Sequence, residues 1–557
     1  MLEVFLVFCY MTITCFIMGF ALFTIFNKIV PNKQLNAVSI IFMGIIFMTV
    51  YAQFYSLFSG VGLMANVLLV STCVAVSIIL RKQLFLYLSK ILHETSVLYK
   101  IILLFIMMLF AFGTSHGYIH YDTSLYHAQA IRWIEEFGIL KGLGNVYIRL
   151  AYNSSAFALT ALYSMSFMAK NSLHCAAGYM AFLLLVLCLE PLAKRKVKRL
   201  IVADFARIAA IYYLMNIFDE MVSPASDYFT LITIFYIIIR WLDLLEEKET
   251  SPYPYGFLCV MGVYAITLKL SAAFILLLTI KPMIMLIKEK KIWQSITFIL
   301  LGIITICPYF IRNVIISGYL IYPFSSIDIF NVDWKMPSSL ANNDAREIQV
   351  WGKGLNDVSL YDTPFLKWFP HWFLQQTNTD RLLISVALIA TLLACFYCLS
   401  ALVHKNFDIP LVFLTLVISF LFWFFNAPLF RYGCVYVYLT AAVVFGYFYV
   451  RLFPKRHIIL YVSLMIIICY KSYAFDRELY SDYDNKYLVY QEDYENYRVD
   501  ITQVGGYRFF KPYDNDRTGY DNFPVTHNLG GFALRGTDIK DGFKPLETKP
   551  LEITAMN

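Results

Sequence analysis

Apolar runs, each about as long as a helix that crosses a bilayer, recur along almost the whole of this chain, and that repetition limits its folds more than any motif does. A membrane-spanning helix takes about 20 apolar residues. The runs fall at 2–26, 37–58, 61–80, 101–119, 172–189, 201–218, 228–244, 255–268, 271–287, 293–311, 381–403, 410–425, 434–453 and 457–470. Of 557 residues, 59% are hydrophobic and 15% charged, against about 25% charged in a soluble domain. Length therefore counts helices here, not soluble domains. The expectation is an all-α polytopic membrane protein of about fourteen transmembrane helices, with interfacial helices and a small C-terminal module outside the membrane. The first run opens with Glu3 and is too long for the apolar stretch of a signal peptide, so it is read as a retained anchor.

The net charge of +7 does not indicate nucleic acid, because much of it sits in short clusters between apolar runs. Lys194, Arg195, Lys196, Lys198 and Arg199 form one, and Lys288, Lys290 and Lys291 another. Such clusters mark cytoplasmic loops. With these, Arg81–Lys82 and Lys455–Arg456 placed inside, the other loops alternate, and both termini face out. Outside then lie the segment around Asp122, the connection 219–227, the long loop 312–380 and the tail from 471. Two stretches, 125–137 and 147–167, are placed as helices on the outer surface; the second holds Asn153, Ser154 and Ser155, and were it to cross the membrane the Lys194 cluster would fall outside. In the first, Leu125, Ala128, Ile131, Ile134 and Phe137 recur at helical spacing opposite Gln129, Arg132, Glu135 and Glu136. The chain thus divides into three N-terminal spans (1–100), a core with outer interfacial helices (101–311), an outer loop (312–380), further spans (381–470) and the tail (471–557). The tail is rich in Tyr, Asp and Asn and reads as a loop-rich module, β-containing at most, whose core is small for independent folding. All eleven cysteines lie in or at the ends of apolar runs, which excludes disulfides and zinc–thiolate sites from the loop and tail.

Charged residues at the outer ends of the runs are the candidates for chemistry. The segment His120-Tyr121-Asp122-Thr123-Ser124-Leu125-Tyr126-His127 follows a span directly. A carboxylate there has water nearby and is placed to accept a proton, with Tyr126 and His127 about one helical turn further on. Asp122 is equally placed to cap the helix that begins beside it. A second carboxylate, Asp227, follows Ser223-Pro224-Ala225-Ser226, an ordinary helix start. Lys269 lies among apolar residues at the end of a run, where it either faces a polar site or snorkels to the interface. Arg312 and Arg431 end or begin two more runs. Three cations at this level suit a phosphate or pyrophosphate, with lipid headgroups as the plainer partner. No Walker loop, dinucleotide fingerprint, H-E-x-x-H or G-x-S-x-G stands in a supporting context.

The order of these features resembles the GT-C superfamily of membrane glycosyltransferases, which includes the aminoarabinose transferases and protein O-mannosyltransferases. The resemblance rests on an acidic residue at an outer span end, two interfacial helices, Ser-Pro…Asp before the next span, the segment 265–271, and PYFIRNVIISGYLIYP at 308–323. More narrowly, YDTSLYHAQAIRWIEEFG, YLIYPFSSIDIFNVDWKMP and FALRGTDIKDGF resemble an uncharacterised family of bacterial polytopic proteins associated with surface polysaccharides. The resemblance implies transfer of a sugar from a polyprenyl-phosphate donor to a glycan or lipid-linked hydroxyl acceptor, outside the bacterial cytoplasmic membrane. It implies Asp122 as catalytic base; Lys269, Arg312 and Arg431 on the donor phosphate; and Tyr121, Tyr126, His127 and Asp227 shaping the pocket. The superfamily often pairs acidic residues in its first outer loop, whereas Asp122 stands between Tyr121 and Thr123. One carboxylate is a poor site for Mg²⁺ or Ca²⁺, so metal binding is left open and no cofactor is assigned. The alternative is a transporter or flippase for lipid-linked glycans, which predicts ionisable residues near the bilayer midplane.

Overall fold

The computed structural model describes residues 1–30, 35–169, 171–194, 200–404, 407–453, 458–482, 484–528 and 531–546. The basic runs at 195–199 and 455–456, which helped to set the expected orientation, lie outside the described residues. In chain order the helices are α1 (Leu2–Ile29), α2 (Ala37–Tyr55), α3 (Leu63–Ile79), α4 (Arg81–Glu94), α5 (Val97–Gly113), α6 (Ala128–Glu136), α7 (Ser155–Tyr163), α8 (Ala176–Lys194), α9 (Val202–Asn216) and α10 (Ser226–Glu246). There follow α11 (Pro252–Leu268), α12 (Ile280–Lys288), α13 (Ile292–Ser317), α14 (Ser338–Gly352), α15 (Phe365–Gln375), α16 (Asn378–His404), α17 (Asp408–Asn426), α18 (Phe430–Leu452) and α19 (Ile458–Asp482). The tail adds two antiparallel pairs of strands, β1 (Val499–Val504) with β2 (Tyr507–Pro512) and β3 (Phe532–Leu534) with β4 (Phe543–Pro545).

The architecture is helical and polytopic. Among the described residues, eight helices are long and apolar enough to cross a membrane, and α3 with α4, bent by 86°, makes a ninth if the pair is one span. Shorter apolar helices lie in α5, α8, α11 and α19. α1 and α2 cross closely because glycines meet there: a Cβ on Gly19 would lie 2.0 Å from the Ile40 carbonyl oxygen, and one on Gly44 1.8 Å from that of Cys15. Close approach of this kind is how apolar helices associate where lipid is as apolar as they are. α10 forms the hub, with 89% of its apolar stretch buried, whereas α16 buries 28% and turns Leu382, Ile389, Leu392 and Phe396 outward. An outward face of that composition suits hydrocarbon rather than water.

Residues 147–167 differ from the expected surface helix. Two short 3₁₀ turns lead into α7, all nine of whose residues are buried. The polar group Asn153-Ser154-Ser155, which suggested an interfacial position, is consumed inside the fold. Ser154 donates to the Leu268 carbonyl (2.8 Å), Ser155 pairs with Thr267 (2.8 Å), and Asn153 donates to the Tyr309 carbonyl (3.0 Å). Buried polar groups that are bonded in this way carry little penalty.

Far along α10 from its first residues lies a buried ion network that the sequence reading did not include. Arg207 donates to Asp204 (3.0 Å) and Asp243 (2.5 Å), and Arg240 donates to Asp243 (3.0 Å). Their mutual pairing offsets the cost of removing them from water. Glu135, Gln129 and Arg132 of α6 hold the tail. Gln129 donates to the carbonyls of Gly519 (2.7 Å) and Asn522 (2.9 Å), Arg132 to that of Tyr520 (2.8 Å), and the Tyr520 hydroxyl to Glu135 (2.5 Å). Phe523 and Phe543 pack their rings on Trp133.

Candidate functional site

Four charged side chains from four distant segments meet at one end of the helices. Asp122 stands at the turn before a five-residue π-helical stretch, Thr123–His127, that leads into α6. Asp227 lies in the first turn of α10. Lys269 follows α11 in extended conformation (φ −156°, ψ 128°), where the chain breaks before a 3₁₀ stretch, Leu270–Thr279. Arg431 lies in the first turn of α18, two residues before a kink at Gly433. The kink has a packing cause. A Cβ at Gly433 would lie 2.3 Å from the Trp423 ring, and that indole is held by donating to the Leu429 carbonyl (2.9 Å).

Arg431 joins the two acids. Its Nη2 donates to Asp122, and its Nε lies 3.8 Å from Asp227. Lys269 donates to the other oxygen of Asp227, and its ammonium sits 3.6 Å from the centre of the Tyr432 ring. The side chains keep some exposure, from 10% for Asp227 to 26% for Lys269 and Arg431, so the cluster is partly open. Two carboxylates and two cations balance in charge.

The neighbours set proton occupancy. Burial acts to raise Asp122, but Arg431, His127 and His120 outweigh it and hold the carboxyl below its ordinary value. Burial, reinforced by Arg431, lowers His120 to about 4. Burial also lowers His127 to about 3, against the pull of Asp122. Both rings are therefore neutral at pH 7. Arg431 Nη1 donates to His120 Nδ1 (2.6 Å), and the backbone of His120 donates to Ser223 Oγ (2.7 Å). Ser223 thus ties the connection before α10 to the Asp122 turn. Thr123 Oγ1, His127 Nδ1 and Arg431 Nε are buried and have no hydrogen-bond partner among the described residues. Such unspent capacity is uncommon in a folded protein and suits a polar ligand.

The remaining candidates separate. Asp122 does not cap the helix beside it; its side chain makes no capping bond and turns to Arg431 instead. Tyr126 is at the cluster, its hydroxyl pushed up by burial and by Asp122, with its ring against Tyr152. Tyr121 points to the tail, where its hydroxyl bonds Asp516 and Arg517 covers its ring at 4.8 Å. Arg312 is 2% exposed and makes no bond to the four charges. It donates to Asn153 (2.8 Å) and to Ser56, so it links α13 to α2 and to the start of α7.

Two neighbours of the cluster were missed from sequence. Tyr432 adjoins Arg431, and Ser223, read from sequence only as part of a helix start, precedes Asp227 by four residues; closeness in sequence to those charges was the available signal. Asp344 of α14 is less legible. It is 1% exposed, accepts from Tyr152 (2.6 Å) and Tyr322 (2.8 Å), and is linked toward the cluster by the contact of Tyr152 with Tyr126. Burial pushes its carboxyl up to about 6, against the two tyrosine hydroxyls and Arg149. Among the described residues, no three His, Cys, Asp or Glu side chains are grouped to hold a metal ion.

Residues 1–438 match the model of a family described as a domain of unknown function (DUF8201), and the chain belongs to that family. No curated protein and no solved structure matches it.

Proposed function

We propose that this member of the DUF8201 family is a membrane glycosyltransferase that moves a sugar from a polyprenyl-phosphate donor to a hydroxyl acceptor at the outer face of the bacterial cytoplasmic membrane, in the assembly of surface polysaccharide or a related glycoconjugate. The observation that carries the reading is the convergence of Asp122, Asp227, Lys269 and Arg431 in one partly open cluster at the ends of their helices. The associated topology has about fourteen spans, with both termini and the cluster outside and the basic loops inside.

In this reading the donor phosphate draws Arg431 away from Asp122. The released carboxylate loses the neighbour that keeps its basicity low, and takes the proton of the acceptor hydroxyl. The acceptor oxygen bonds to the anomeric carbon as the bond from that carbon to the phosphate oxygen breaks. The leaving polyprenyl phosphate keeps the electron pair, and Lys269 and Arg431 stabilise its charge. Asp227 holds both cations in place between turnovers. Tyr126 and His127 wall the pocket, and Arg312 serves as a positioning residue between α13 and α2. A transporter reading is less favoured: among the described residues the buried ionisable groups gather toward helix ends and in loops rather than along a midplane path.

Mass spectrometry of surface glycans tests this in cells carrying the wild-type gene, Asp122→Asn or a deletion. Loss of a general base lowers the rate about 10²–10⁴-fold, so Asp122→Asn is expected to lack the same sugar as the deletion while its protein stays at the normal level in the membrane. Wild-type glycans from Asp122→Asn would remove the base assignment.

A further inference from the structure

A second feature, which shares no residue with the charged cluster, lies beside α1 and is independent of any chemistry at the cluster. Between α1 and α3 runs a groove of about 490 Å³, lined among others by Ile13, Ile17, Val70, Val74, Ile78 and Arg81. It opens sideways, since Ile13, Val70, Val74 and Ile78 are all exposed. Its walls offer little polarity. The Thr14 hydroxyl is spent on the Tyr10 carbonyl and Tyr163 (2.8 Å each), and the Tyr10 hydroxyl on Asn66 (2.9 Å). Arg81 is the only charged residue of the lining.

Arg81 stands at the elbow where the chain turns by 86° from α3 into α4. α4 presents Leu84 and Tyr87 to α1, where Tyr87 meets Phe16 and Phe20, and leaves Phe85, Leu86 and Leu92 exposed. A helix turned across a preceding apolar helix, with exposed apolar side chains and basic residues at its start, has the character of one lying in a membrane interface. Lys90 is engaged by Glu94 (3.8 Å) and Lys100 by the Leu92 carbonyl (2.7 Å). Arg81 and Lys82 are exposed, and no hydrogen bond or ion pair joins either to a described residue. The groove is thus apolar along its length and cationic at one end.

Length decides what fits. From Val70 to Ile78 the helix rises about 12 Å at ~1.5 Å per residue. That is a little under half of the ~30 Å hydrocarbon core, the depth of one acyl chain in one leaflet and too short for a carrier that crosses both.

We propose that the α1–α3 groove and the Arg81–Lys82 elbow form a binding site for an anionic phospholipid, with one acyl chain along the groove and the headgroup phosphate on Arg81 and Lys82. Arg81 supplies a planar fork for two phosphate oxygens, Lys82 a second charge, and the exposed side chains of α4 anchor the elbow at headgroup depth.

Native mass spectrometry of the full chain, with phosphatidylglycerol or phosphatidylcholine of identical acyl chains added in detergent, tests the proposal. Retention of phosphatidylglycerol over phosphatidylcholine is expected. Arg81→Gln with Lys82→Gln should weaken it by about 30-fold, the effect of removing two basic side chains from an anionic surface. Val74→Trp, which fills the groove and leaves both charges, should also weaken it. Equal retention of the two lipids, or a preference that survives Arg81→Gln with Lys82→Gln, would overturn the site. Arg81→Gln and Lys82→Gln alter exposed side chains and leave the packing of α1 and α3 in place, so the melting temperature of the doubly substituted chain is expected to match that of wild type.

Discussion

At the residue scale, Arg431 is the side chain on which the cluster turns, because only its branched guanidinium spans Asp122 and Asp227 together. Asp344 gives a separate readout of how the loop before α16 engages the same region. Its carboxyl is held near pH 6, against an ordinary value of 3.8. Between those values the folded chain holds the proton and the unfolded chain does not, so this group adds stability as pH falls through that interval and withholds it above. Asp344→Asn has no such titration. The difference in melting temperature between wild type and Asp344→Asn is therefore expected to grow in favour of wild type as pH is lowered from about 7 to about 4; differential scanning fluorimetry would contradict this with a constant or shrinking difference. Asp122, Asp227, Lys269 and Arg431 were legible in the sequence because a charge at the end of an apolar run is itself conspicuous. Asp344 was not, since nothing sets it apart within the long polar stretch 312–380 and its tyrosine partners lie 192 and 22 residues away.

At the scale of elements, polar residues inside apolar or amphipathic stretches decide the geometry, and they are also where sequence reading strained. Asn153, Ser154 and Ser155 looked interfacial, yet they bind α11 and α13 and draw α7 fully inside, because buried partners satisfy them as well as water would. The alternation of α6 was legible, but what its polar face meets was not. Gln129 is 0% exposed and spends its amide on carbonyls of the tail. Gln129→Ala leaves those carbonyls buried and unpaired, at a cost of about 1–3 kcal/mol. The expected outcome is faster proteolytic cleavage within residues 491–528 while the helical part stays intact. An unchanged cleavage rate would mean that the tail is held without α6.

On the scale of the whole molecule, the apolar runs disclosed a polytopic helical protein, and its N-terminus and the segment 120–127 proved to be tied to the tail. The N-terminal amino group donates to the Tyr487 carbonyl (2.5 Å), and the backbone amides of Thr518 and Gly519 donate to the Ser124 carbonyl (3.1 and 3.0 Å). A composition of Tyr, Asp and Gly says that such a tail is polar, but not which helices will supply its missing core. Residues more than 300 positions apart meet at Arg431 and Asp122, and the proposed function requires that this meeting point face the outer side of the cytoplasmic membrane. The most direct test replaces the native cysteines, introduces Asp122→Cys with Arg431→Cys, and treats intact cells with a short, membrane-impermeant thiol cross-linker. A rapid 122–431 cross-link is the expected result. If the pair reacts only after the membrane is permeabilised, or if each cysteine is modified without cross-linking, the shared outer site does not exist.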